Sequence, residues 1–169
     1  GASAFYGCTS VEQIVFGANV TEIGRSCFGK NQSLVSVSLP DGITKIEEAV
    51  FYHCSNLEQV TFGGHVMEIG DTAFSQCKKL VDISSLKQVE SIGNGAFSGC
   101  EKLEKIEVSE TVEFIGGSAF AGIQRVGAGA DDHVFGGGDG RFAAAGAGYE
   151  LHDRADRSVA AGCRAGLFS

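Results

Sequence analysis

One unit of the chain reads IEEAVFYHCSNLEQVTFGGHVME, from Ile46 to Glu68, and Ile69 then begins the next copy. A phenylalanine recurs at the same place in every copy, each one 23 residues after the last: Phe5, Phe28, Phe51, Phe74, Phe97 and Phe120. A unit this short cannot bury its own apolar face, whereas stacked coils place every apolar side chain on its counterpart in the next coil. The period therefore predicts a solenoid with ladders of Phe and Ile in its core.

The strands of the solenoid are predicted by a second spacing within each unit. Leu34 to Leu39 and Leu57 to Phe62 follow the order L-x-x-L-x-L, which is typical of the strands of leucine-rich repeats. Equivalent segments of successive coils should pair as parallel strands about 4.8 Å apart. A glycine follows most members of the Ile column, and we expect a turn or a close backbone approach there. In the fourth coil Ser85 occupies an apolar position and Leu86 follows it, which predicts a local shift of one residue.

The repeat resembles a known family, the BspA-type leucine-rich repeats. Its pattern I-G-x-x-A-F-x-x-C-x-x-L-x-x-V-x-L-P is carried here by Ile69-Gly70, Ala73-Phe74, Cys77, Leu80, Ile83 and Leu39-Pro40. The resemblance implies the α/β class, as a right-handed solenoid with a parallel sheet on one face and short turns or single-turn helices on the other. It also implies a cell-surface or secreted location, a role in adhesion or protein binding, and no general catalytic residues.

The resemblance divides the chain into two regions. Residues 1–122 form the expected solenoid, with about five repeats and a partial sixth, and residues 123–169 form a tail rich in Gly and Ala. Two alternatives remain for the tail, a disordered extension or an artefact of a misassigned reading frame or retained intron. The chain lacks an initiator Met and begins within the repeat pattern, so we expect it to be a fragment of a longer protein.

Composition excludes several classes of function. The formal net charge is −8 and Lys and Arg are not clustered, which argues against a nucleic-acid partner. No stretch approaches the roughly 20 apolar residues of a membrane span, so we expect no membrane insertion by this chain. No ligand spacing for a metal and no polar cluster suited to catalysis is present. We therefore expect neither a cofactor, a metal site nor an enzyme.

The cysteines follow the repeat. Cys54, Cys77 and Cys100 are one unit apart, Cys8 belongs to the same column, and Asn31 occupies it in the second coil. Side chains that point the same way on successive coils are poorly placed to form a disulfide. Buried free thiols are the main prediction, with a disulfide and a metal site as alternatives. Asn31 should then be a buried group that contacts backbone polar atoms.

The binding surface is predicted on the concave side of the sheet, where two columns of side chains face outward. These columns contain Gln13, Val15, Ser36, Ser38, Gln59, Thr61, Asp82, Ser84, Lys105 and Glu107. They are mostly small and polar, and the sheet area of roughly 300 Å² is below the ~800 Å² per partner of a standard interface. We therefore expect weak binding of a protein partner. The alternative function is a structural spacer or stalk, and uncapped ends should favour self-association.

Overall fold

The computed structural model describes residues 1–83, 86–103 and 111–123. In chain order its strands are β1 (Gln13–Ile14), β2 (Ser36–Ser38), β3 (Lys45–Ile46), β4 (Gln59–Thr61), β5 (Glu68–Ile69), β6 (Ser91–Ile92) and β7 (Phe114–Ile115). Turns connect the strands, and the described residues contain no helix. We number the coils from the Ile column: the first is 1–22, the second 23–45, the third 46–68, the fourth 69–91 and the fifth 92–114, and the sixth begins at 115.

The first sheet contains the strands that the sequence predicts. β1, β2 and β4 pair in parallel, with Val37 opposite both Ile14 and Val60. An isolated bridge from Gln59 to Asp82 continues the same register into the fourth coil. Leu86 in that coil is buried, and Ser85, on which the expected shift of one residue depends, lies outside the described residues. The parallel sheet of the leucine-rich-repeat solenoid is therefore confirmed.

A second sheet follows the Ile column and was not predicted. β3, β5, β6 and β7 pair in parallel with Ile46, Ile69, Ile92 and Ile115 in register. Each strand has two residues, an outward-facing one and the buried Ile, so the alternation is too short to be recognised in the sequence. Two narrow parallel sheets thus enclose the apolar ladders.

The phenylalanine column forms the centre of the core. Successive rings from Phe5 to Phe120 stack with centroids 5.3–5.8 Å apart and planes within 15° of parallel. Phe51, Phe74 and Phe97 have no exposed surface, whereas Phe5 is 52% exposed because no coil precedes it in the structure. Offset stacking of this kind adds to the stabilisation that comes from burying each ring. The predicted ladder is confirmed.

The turn beside each Phe depends on residues with positive φ. The position two residues before the Phe has φ of 51° at Thr72, 59° at Gly95 and 57° at Ser118. Only glycine adopts this conformation without steric cost. The glycines after the Ile column have another role, since a Cβ on Gly116 would lie 2.5 Å from the backbone nitrogen of Asn94. The close backbone approach expected there is confirmed.

The described cysteines of the column form no disulfide, and all except the half-buried Cys8 are buried. The sulfurs of Cys54, Cys77 and Cys100 donate to backbone oxygens of the preceding coil at 3.1–3.2 Å, and the acceptors are Phe28, Phe51 and Phe74. Burial raises the pKa of the Cys54 and Cys100 thiols to about 12 and that of Cys77 well above its ordinary value. The prediction of buried free thiols is confirmed for these three residues.

Asn31 departs from the column that it was expected to match. Its side chain is fully buried, but neither Nδ2 nor Oδ1 has a hydrogen-bond partner. The prediction that this amide contacts backbone polar atoms was therefore wrong. An amide is larger than a thiol and needs partners for both its donor and its acceptor atoms, and a site shaped for one sulfur supplies neither.

Candidate protein-binding surfaces

The first sheet presents the predicted columns on its outer side. Gln13 is opposite Ser36, Ser36 is opposite Gln59, and Ser38 is opposite Thr61. Ser36 is half-buried and the other described members of the columns are exposed, with Val15 at 93%. Ser84, Lys105 and Glu107 lie outside the described residues. We call the described part of these columns the first-sheet face: Gln13, Val15, Ser36, Ser38, Gln59, Thr61 and Asp82.

The first-sheet face is mostly polar, and Val15 is its one apolar member among the described residues. Its hydroxyl and amide side chains can donate and accept hydrogen bonds, and Asp82 provides its only charge among the described residues. Strand pairing fixes these groups at the interstrand spacing of about 4.8 Å. The face can therefore hydrogen-bond to an extended surface, but it offers no aromatic or arginine anchor.

The second sheet presents a face of different chemistry, which the sequence analysis missed. Of the residues at the two positions before Ile46, Ile69, Ile92 and Ile115, all but the half-buried Ser91 are exposed. Six of the exposed ones define what we call the second-sheet face: Lys45, Met67, Glu68, Glu90, Glu113 and Phe114. Met67 is 39% exposed and Phe114 36% exposed. The sequence does contain a signal for this face, namely the two variable positions before each member of the Ile column. Only the register between the strands shows that these positions share one surface.

Charges are distributed unevenly on the second-sheet face. Lys45 Nζ lies 3.5 Å from Glu47 Oε1 and 3.4 Å from Glu68 Oε2. The hydrogen bond to Glu68 and the negative charge of Glu47 raise the pKa of Lys45. In contrast, neither Glu90 nor Glu113 forms an ion pair with a described residue. The carboxylates are thus neutralised at the β3–β5 side and unpaired toward β7.

A polar ladder along the turns is structural. The backbone N–H of Asn94 donates to Asp71 Oδ1 at 2.7 Å, and the N–H of Gly117 donates to Asn94 Oδ1 at 2.9 Å. In the same column, Arg25 of the second coil pairs with Glu48 of the third. These side chains hold turns of adjacent coils together. Across the described ranges, no group of three or more His, Cys, Asp or Glu residues is arranged to hold a metal ion.

The N-terminal end of the stack exposes apolar side chains. Phe5 and Tyr6 are 52% and 43% exposed, and Lys30 Nζ lies 5.6 Å from the centroid of the Tyr6 ring. Exposed apolar side chains of this kind can associate with another apolar surface. Self-association through this end stays a prediction. In the part of the chain that the structure describes, no helix is long and apolar enough to cross a bilayer.

Known structures with the same architecture are bacterial leucine-rich repeat proteins. A leucine-rich repeat protein of Bacteroides ovatus is 36% identical with a TM-score of 0.64, over 72% of this chain and 31% of that one. The leucine-rich repeat protein of T. pallidum is 31% identical with a TM-score of 0.65, over 72% of this chain and 56% of that one. A leucine-rich cell surface protein of Faecalibacterium prausnitzii is 26% identical with a TM-score of 0.51, over 68% and 43%.

These comparisons also define how much of a related protein the chain represents. It spans only 31% and 56% of the first two structures, so it corresponds to a part of each. A comparison with curated protein sequences finds no match. The model of the BspA-type leucine-rich repeat region matches residues 1–126 with six copies. With that match, the ladders and the parallel sheets, the chain belongs to the BspA-type leucine-rich repeat family.

Proposed function

We propose that the chain is a non-catalytic protein-binding or adhesion module that uses the first-sheet face. The observation that supports the proposal is the register of that sheet, in which Val37 and Val60 are buried while Ser38, Gln59 and Thr61 between and beside them are exposed. Positions that differ between coils are therefore exposed at fixed spacing, while the repeated positions form the core. Families of repeat proteins commonly bind partners through surfaces of this kind.

The rigidity of the scaffold supports this function. Phe74 stacks between Phe51 and Phe97 at 5.3 Å on either side, and backbone hydrogen bonds join each turn to the next coil. Side chains on such a scaffold lose little further freedom when a partner binds, which reduces the entropic cost of association. We propose residues 1–122 as the binding unit and the exterior of the cell as its location. The similar F. prausnitzii protein is described as a cell surface protein, which supports that location.

Photo-crosslinking on the full chain tests the function. Benzoylphenylalanine placed at Gln59 on the first-sheet face should form one defined protein adduct in extracts of the cells that produce the chain. The same group placed at Gln32, which is exposed on a turn, is the matched control and should not form it. The double substitution Ser38→Arg with Thr61→Arg should abolish the adduct, because two long cationic side chains would cover the face. The same adduct from both sites would contradict the proposal.

The alternative function is a spacer or stalk within a larger surface protein. The small and uncharged side chains of the first-sheet face favour it, because binding hot spots are usually built from Trp, Tyr and Arg. A spacer would give no adduct from Gln59 even when the solenoid is correctly folded. Circular dichroism of the labelled protein would separate that result from simple unfolding.

A further inference from the structure

We propose that the second-sheet face is a separate docking surface and that its occupant is a Lys/Arg-rich segment of a protein partner. The inference rests on the proposed binding function and adds to it a second surface and the chemistry of the partner. Its basis is the combination of unpaired carboxylates and partly exposed apolar side chains on one sheet face.

The face is held in place by its backbone. Met67 N–H donates to Thr44 O at 2.8 Å, Glu90 N–H donates to Met67 O at 2.8 Å, and Glu113 N–H donates to Glu90 O at 2.7 Å. Residues at equivalent positions therefore follow one another from coil to coil. Ser91 and Phe114 are also in direct register between β6 and β7. The side chains of the face thus form a fixed array.

Like charges on neighbouring coils are the first indication of a cationic occupant. Glu90 and Glu113 occupy the same column on adjacent coils, which places their backbones about 4.8 Å apart. Like charges directly opposite each other in a sheet are destabilising. No described residue offsets this repulsion with an ion pair, whereas Lys45 is already held by Glu47 and Glu68. A cation from a partner would remove the repulsion and gain two carboxylate contacts.

Further carboxylates near the second-sheet face also favour a cationic occupant. Glu22 directly precedes Ile23 of the Ile column, so the two positions before that column carry four carboxylates, Glu22, Glu68, Glu90 and Glu113, and one lysine, Lys45. Charge complementarity increases the rate of encounter with an oppositely charged partner and disfavours acidic ones. The first-sheet face carries one described charge, Asp82, and has no comparable preference.

The apolar side chains of the face favour a peptide segment over a small cation as the occupant. Phe114, 36% exposed, follows Glu113 directly, and Met67, 39% exposed, precedes Glu90 in its column. Lys and Arg side chains bury their aliphatic stems on apolar surface while the charged group contacts a carboxylate. A cationic group can also lie over the Phe114 ring. A small inorganic cation would make no use of these two side chains.

The test uses the full chain and a short fluorescein-labelled peptide of alternating arginine and serine. Fluorescence anisotropy should show binding at low salt that weakens strongly at high salt, since exposed charges are screened. The variant Glu90→Gln with Glu113→Gln should bind about 10-fold more weakly, at roughly 3-fold for each exposed charge pair. Phe114→Ala should also weaken binding, with no change in the circular dichroism spectrum.

The matched control is Glu12→Gln with Glu58→Gln, which changes the net charge equally but on exposed residues beside the first sheet. It should change the affinity less than 2-fold, within the range of a remote screened charge. An equal loss in both variants, or no binding by the unmodified chain, would overturn the inference. If the Gln59 adduct persists in that case, the proposed binding function still stands and only the second surface is lost.

Discussion

The third to fifth coils and the first coil obey the same sequence pattern but differ in how completely their groups are satisfied. Phe51, Phe74 and Phe97 are fully buried between two neighbours, whereas Phe5 has one neighbour and is 52% exposed. A column position is therefore stabilising only to the extent that both adjacent coils are present. Stability in this solenoid should be graded along its length.

The cysteine column also differs between the interior coils and the N-terminal end, in this case in whether its buried polar groups form hydrogen bonds. Each interior thiol reaches a phenylalanine carbonyl of the coil before it, while Asn31 at the equivalent place is buried without a hydrogen bond. The boundary between the first and second coils thus combines weaker packing with an unsatisfied amide. We expect the first coil to open before the interior does.

Thiol reactivity should show the largest difference between the two regions. A pKa raised from 9.0 to about 12 lowers the thiolate fraction of Cys54 and Cys100 near neutral pH by about 1,000-fold. Cys8 is half-buried in the first coil and should react with a disulfide reagent well before them. Cys163 of the tail lies outside the described residues and is replaced by serine to remove its signal. Mass spectrometry of this variant checks the order, and labelling of Cys54 as fast as Cys8 would contradict it.

The raised pKa values of these thiols predict how the stability of the folded protein changes at high pH. Their pKa is higher in the folded state, so folding favours the protonated form. The resulting stabilisation is fully present below pH 9, the ordinary pKa, and is lost as the pH rises toward 12. Urea unfolding followed from pH 8 upward should show a midpoint that falls steadily. Replacing all three interior cysteines with alanine should remove most of that slope.

Truncation of a core ring should produce the largest mutational loss. Phe74→Ala removes a fully buried ring that stacks on two others and should cost about 3–5 kcal/mol. Phe5→Ala is the matched substitution at the exposed end and should cost less than about 1.5 kcal/mol. Urea denaturation measures both values. Equal losses would mean that the stack is not graded.

The sequence predicted the period, the buried columns and the strands of the first sheet because each rests on spacing alone. Phe74, Ile83 and Cys77 are buried as their columns require. It missed the second sheet because two-residue strands contain no alternation to detect. The second-sheet face was missed with it, since residues such as Glu90 and Phe114 appear on one surface only when the register between strands is known.

Asn31 was misjudged for a different reason. A column establishes that a position is buried, but it does not establish that a larger amide finds the carbonyl that a thiol reaches. Hydrogen-bond geometry depends on displacements of a few tenths of an ångström.

Exchanging asparagine and cysteine in the cysteine column tests whether the boundary between the first and second coils is the weak one. Cys77→Asn should place an unsatisfied amide in the interior and cost about 2–3 kcal/mol, because a buried polar group without partners carries its full desolvation penalty. Asn31→Cys should be stabilising by about 1–2 kcal/mol for the same reason. Both are measured by urea unfolding. If Asn31→Cys destabilises the protein, the amide has partners and the first boundary is not the weak one.

The turns provide the smallest and most local comparison, between Thr72 and Gly95. Both residues occupy the same column with positive φ, 51° and 59°, but Thr72 is β-branched. A left-handed conformation costs a residue with a Cβ about 1 kcal/mol relative to glycine. Thr72→Gly should therefore stabilise the fourth coil by an amount reduced by the greater flexibility of glycine in the unfolded chain. Gly95→Thr should destabilise the fifth coil by less than about 1 kcal/mol, because the loss of glycine flexibility in the unfolded chain offsets part of the backbone strain. Thermal unfolding of the two variants should thus shift in opposite directions, and a shift in the same direction would show that backbone strain does not limit these turns.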